Sequence, residues 1–100
     1  MEPWTRQQWE ENIKQHEKTA FFLYTPMCGT CDVSEKMLKV IEKLLPGLPL
    51  GIANINYLEN LALDLKIESV PCLIVSENGK LTDKVYAFKS VPFLYEMLKK

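Results

Sequence analysis

The chain has 100 residues, of which 47% are hydrophobic and 25% charged, with a formal net charge of −1. That length holds one modest core, so a single domain over residues 1–100 is expected. The near-zero charge, the scattered basic residues and the lack of any apolar run of bilayer length speak against a nucleic-acid face and a membrane anchor.

The first residues, Met1-Glu2-Pro3-Trp4-Thr5-Arg6, lack the charged and apolar regions of a secretory signal. Three cysteines make an odd number, which fits a reducing compartment better than a disulfide framework. A cytoplasmic location is the expectation. Thr5 followed by Gln8 forms a capping box, and Trp4 and Trp9 flank it as a hydrophobic staple, so a helix is predicted from Arg6 to His16 with Trp9 and Ile13 on its buried side.

Ala20-Phe21-Phe22-Leu23-Tyr24 is short, apolar and aromatic, as in a strand buried on both faces. Directly after it come Thr25-Pro26-Met27-Cys28-Gly29-Thr30-Cys31, and from Cys31 the apolar period changes to that of a helix. Val33, Met37, Val40, Ile41 and Leu44 are the expected buried stripe of that helix, with Ser34, Glu35, Lys36, Lys39, Glu42 and Lys43 outward, until Pro46-Gly47 stops it. Two cysteines are therefore placed where a strand hands over to a helix. A thiolate there meets unpaired N–H groups and the positive end of the helix dipole, which favours an ionised, nucleophilic Cys28.

Leu50 to Asn56 alternates loosely as a second strand, and Leu58 to Leu65 forms a short helical patch before Val70-Pro71. Cys72 to Ser76 and Leu81 to Ala87 are strand-like and antiparallel, joined around Asn78-Gly79, a strong two-residue hairpin signal. Ser90 caps a last helix with Phe93, Leu94, Met97 and Leu98 on one face and Pro92 in its first turn. The order α-β-α-β-α-β-β-α implies an α/β fold, a central mixed sheet of about four to five strands with helices on both faces.

With Met27-Cys28-Gly29-Thr30-Cys31, Val70-Pro71 and the Asn78-Gly79 hairpin in matching order and spacing, the chain resembles the thioredoxin family over nearly its whole length. The family has one more edge strand at its start, for which Met1 to Trp4 remain. The resemblance implies a thiol-disulfide oxidoreductase without an organic cofactor, in which Cys28 attacks a disulfide and Cys31 resolves the mixed disulfide. It also implies that Val70 and a cis Pro71 face the dithiol and bind a disulfide-containing protein or small-thiol substrate, together with Met27 and Tyr86. A thioredoxin reductase or a small thiol would supply electrons, and a monomer is expected.

Several positions depart from the family pattern. Phe22, and by alignment Asn54, replace a buried Asp and a nearby Lys that help move the proton of the resolving thiol. Met27 stands for Trp, Thr30 for Pro, Asp32 for Lys, and Tyr86 for Gly, where its ring is expected to narrow the substrate groove. Asp32 suits the helix dipole but opposes ionisation of the thiols. Cys72 replaces the Thr that follows the family's proline, and is expected close to Cys28, as an alternative resolving thiol, a metal or cluster ligand, or a small packing residue. The rival reading is therefore a non-catalytic binding module holding a metal or cluster through Cys28, Cys31 and Cys72. A zinc site is disfavoured, because the fourth candidate, His16, lies on a distant helix.

Overall fold

Residues 1–100 are described in a computed structural model. Helix α1 (Arg6–Gln15) begins at the capping box: Thr5 Oγ1 accepts the Gln8 N–H at 3.1 Å and Gln8 Oε1 accepts the Thr5 N–H at 2.8 Å. Trp4 and Trp9 both lie against Phe21, with ring centroids 5.5 and 6.1 Å apart. Strands β1 (Glu2–Pro3), β2 (Lys18–Tyr24), β3 (Leu50–Asn54), β4 (Cys72–Glu77) and β5 (Lys80–Val85) make one sheet in the order β1-β3-β2-β4-β5. The first three run parallel, and β4 and β5 are antiparallel additions. The short β1 is the edge strand for which Met1 to Trp4 had remained.

Helices α2 (Gly29–Leu44) and α4 (Val91–Leu98) cover one face of the sheet, where Ala20, Phe22, Cys31, Leu38, Ile41, Leu73, Val75, Leu94 and Leu98 pack together. Helices α1 and α3 (Glu59–Asp64) cover the other, around Trp4, Trp9, Phe21, Leu23, Leu61, Cys72 and Ile74. Alternation along β2 explains the split: Phe22 faces α2, while Phe21 and Leu23 face α1. At Gly51 the sheet passes directly under Trp4, and a Cβ there would fall inside the indole. The hairpin turns at Asn78 (φ 52°) and Gly79 (φ 81°), both in the left-handed region that this tight turn requires.

Four expectations change. The buried stripe of α2 is Cys31, Ser34, Leu38 and Ile41, whereas Val33, Val40 and Leu44 are exposed. Both sets repeat at helical spacing, and the one that contains Cys31, Leu38 and Ile41 is the one packed under the sheet. Strand β2 begins two residues early because the Lys18 ammonium is satisfied where it is buried, at 3.0 Å from the carbonyls of Met97 and Lys99 and from Glu77 Oε1. β3 stops at Asn54, whose Oδ1 accepts the Asn56 N–H at 3.0 Å and starts a 3-10 turn over Ile55–Tyr57. β5 ends at Val85, not Ala87. No helix is long and apolar enough to cross a membrane.

Candidate active site

The C-terminal end of β2 delivers the chain into a turn closed by the Cys28 N–H on the Thr25 carbonyl at 3.3 Å. Cys28 is the N-cap of α2, and its Sγ accepts the Cys31 N–H at 3.2 Å. One of the four orphan donors of the helix start is thus spent on the sulfur, the role an Asp or Ser oxygen plays at other helices. Cys28 and Cys31 are joined by a disulfide, with Cα atoms 5.3 Å apart. Cys31 is only 3% exposed and Cys28 is half-buried, so an attacking group reaches Cys28 first. Thr30 Oγ1 lies 3.4 Å from Cys28 Sγ. A Cβ at Gly29 would meet nothing within 4 Å, and Met27 projects into solvent at 96% exposure, which leaves the approach to the disulfide open.

Val70-Pro71 is a cis peptide bond. β4 starts one residue later, with Cys72 opposite Leu23 of β2. Leu23 lies one residue from the C-terminal end of β2, so Pro71 enters the sheet at the end that carries Cys28. Val70 and Cys28 pack against the same cluster. Met27, Cys28, Cys31, Val70 and Pro71 therefore lie toward one end of the sheet.

Cys72 does not join them. Its side chain is fully buried in the α1/α3 layer, on the opposite face of the sheet from Cys31, because consecutive strand residues point to opposite sides. A resolving role for this third thiol, and a ligand set of Cys28, Cys31 and Cys72, are both overturned by that placement, and no three His, Cys, Asp or Glu side chains converge as a metal site. Burial pushes the Cys72 thiol up from an ordinary 9.0 to about 11, against the smaller opposing pull of the Tyr86 hydroxyl and the Lys84 ammonium.

Tyr86 is also placed differently from the expectation of a ring narrowing the groove. It packs against the α1/α3 cluster, and its hydroxyl accepts the Glu68 N–H at 3.2 Å. The ring braces the segment before Pro71. Behind the disulfide, Phe22 is fully buried, edge-on to Phe88 at 5.8 Å and stacked on Tyr24 at 6.2 Å. Its register partner on β3 is Ile52, and Asn54, two residues on along the same face, lies opposite Tyr24. No carboxylate in the chain is buried. The link from Tyr86 and Lys84 to the segment before Pro71 had no sequence signal, since it joins residues 18 to 19 positions apart through side chains.

The family model for thioredoxin matches residues 1–100. Thioredoxin-like protein YusE of Bacillus subtilis (strain 168) is 45% identical over 78 residues, which are 78% of this chain and 74% of that protein. Among solved structures, a mutant thioredoxin from Halobacterium salinarum NRC-1 superposes with a TM-score of 0.87 at 13% identity, covering 99% of this chain and 87% of that one. Oxidised mitochondrial thioredoxin 3 from Saccharomyces cerevisiae gives 0.82 at 18% identity, covering 93% and 87%. At such identities the structures speak for the fold, and the family match and the curated relative speak for descent. This chain, with a Cys-x-x-Cys disulfide at the start of α2, belongs to the thioredoxin family.

Proposed function

We propose that the protein is a thiol-disulfide oxidoreductase in which Cys28 is the nucleophile and Cys31 the resolving thiol. The observation that carries this reading is the Cys28–Cys31 disulfide with Cys28 as the N-cap of α2, half-buried beside open space at Gly29. In the reduced protein a Cys28 thiolate has the Cys31 N–H and the helix dipole to stabilise it. It attacks one sulfur of a substrate disulfide, forming a mixed disulfide and expelling the other sulfur as a thiolate, which takes up a proton. Cys31 then loses its proton and attacks Cys28 Sγ, releasing the second substrate thiol. Substrate gains two electrons and two protons, and the protein is left as the disulfide.

The apolar surroundings of Phe22 and Ile52 offer no buried carboxylate to take the Cys31 proton. That proton passes to solvent or to the departing thiolate. Substrates are disulfides of proteins or small thiols, docked beside Met27, Val70 and Pro71. A thioredoxin reductase or a small thiol returns the electrons, in the cytoplasm, to a monomer that needs no bound organic cofactor.

The test is trapping. Cys31→Ala incubated with a disulfide substrate should accumulate a mixed disulfide through Cys28, visible as a mass increase reversed by dithiothreitol, and the parent should reduce insulin with dithiothreitol as donor while Cys28→Ser does not. An inactive parent, together with no trapped adduct, refutes the reading.

A further inference from the structure

Two side chains outside the disulfide hold the segment that leads into Pro71. Helix α3 ends with Lys66 in the left-handed region at φ 55°. The Lys66 N–H reaches the Leu63 carbonyl at 3.2 Å and the Ile67 N–H reaches the Ala62 carbonyl at 2.9 Å, the pair of bonds that closes a helix around a C′ residue usually glycine. Just beyond the reach of those bonds, Nζ of Lys84 donates to the Leu65 carbonyl at 2.9 Å and to the Lys66 carbonyl at 3.4 Å. Two residues further on, the Tyr86 hydroxyl accepts the Glu68 N–H. Lys84 lies near the end of β5 and Tyr86 directly follows it, and β5 is itself fixed to β4, which Pro71 precedes. The stretch from Leu65 to Val70 is thus fastened at α3, at Lys84, at Tyr86 and at the start of β4.

Without those two side chains Lys66 to Ser69 would keep the bonds at the end of α3 and the packing of half-buried Ile67 against the α1/α3 cluster, while the exposed Glu68 and Ser69 would have no hold of their own. An extended polypeptide that pairs with backbone near Val70 must find that backbone already in place, because ordering a residue on binding costs about 1–2 kcal/mol. A small disulfide makes no such ladder and needs only access to Cys28.

We propose that Tyr86 and Lys84 are positioning residues, a two-point latch that holds Leu65–Val70 for docking of an extended polypeptide disulfide and so makes the protein prefer polypeptide over small disulfides. The inference rests on the oxidoreductase function proposed above.

Steady-state reduction of insulin and of hydroxyethyl disulfide by the full chain, with dithiothreitol as donor, tests it. In Tyr86→Phe and in Lys84→Met the ratio of kcat/KM for insulin to kcat/KM for hydroxyethyl disulfide should fall at least about fivefold, through KM for insulin, as expected for loss of one hydrogen bond's worth of preorganisation. Lys84→Arg, which keeps donors for both carbonyls, should restore the ratio. Hydrogen exchange at the Glu68 amide should accelerate in Tyr86→Phe. A merely structural role would lower both substrates together and leave the ratio at the parent value, and that result overturns the latch. If Tyr86→Phe does not fold, Lys84→Met and Lys84→Arg decide alone. A parent that reduces neither disulfide overturns the oxidoreductase reading instead.

Discussion

Cys72 gives the sharpest check on the two-layer arrangement, because its thiol titrates differently if it is sealed in the α1/α3 layer or lies open to the disulfide. Its folded pKa is raised to about 11 from 9.0, so the folded chain holds this proton more tightly than the unfolded one. The stabilisation is therefore fully present below about pH 9 and is lost as pH rises to about 11. The span, 11 − 9.0, is about two pH units, which sets a ceiling of about 2.7 kcal/mol. At about pH 10.5 most of it, about 2 kcal/mol, should already be gone. The assay is urea unfolding near neutral pH and near pH 10.5 in a Cys28→Ala/Cys31→Ala background, where no other thiol titrates or exchanges. Adding Cys72→Ala should reduce the alkaline loss by about 2 kcal/mol, whatever its constant cost from lost packing, because Lys and Tyr titrations are common to both chains. Equal losses in the two chains would mean that Cys72 ionises as freely folded as unfolded, and the assignment of this thiol to a sealed layer would fail.

Two stability predictions concern backbone positions. Gly51→Ala should evict the Trp4 indole from its place over β3 and against Phe21, at a cost near that of deleting the ring, about 3–5 kcal/mol by chemical denaturation. On a Trp4→Ala background the same change should cost little, and additivity of the two would refute the overlap. Lys66→Gly should raise stability by about 0.5–1 kcal/mol, since Lys66 sits at φ 55° where a side chain is disfavoured, and an unchanged or lower urea midpoint would count against it.

Local signals read well wherever the deciding interactions lie within a few residues. The capping box of Thr5 and Gln8, the Asn78-Gly79 turn and the Ser90 cap each depend on contacts within three or four positions, and each stands where the chain itself indicates. Cys28 and Cys31 were legible for the same reason, as a strand signal before them and a helical period after them define the junction. Helix α2 was harder. It carries two apolar stripes, and only the packing of Cys31 and Leu38 under the sheet decides that Val33, Val40 and Leu44 face water.

Sequence by itself determined the order of elements, the α/β class and the placing of a dithiol at a strand-to-helix junction, because periodicity, caps and turn residues act over one or two helical turns. The family resemblance added the expectation that the Val70-Pro71 step faces that dithiol. Tertiary structure alone decided which layer each side chain enters. Alternation along β4 says that Cys72 and Leu73 point opposite ways, yet not which of them meets α2; pairing with β2 settles it, and the third thiol is sealed away from the other two. Registry likewise sets Ile52 beside Phe22 and Asn54 beside Tyr24. The Tyr86 hydroxyl and the Lys84 ammonium reach Glu68, Leu65 and Lys66 only once β5 is laid against β4, since no local rule links residues so far apart in the chain.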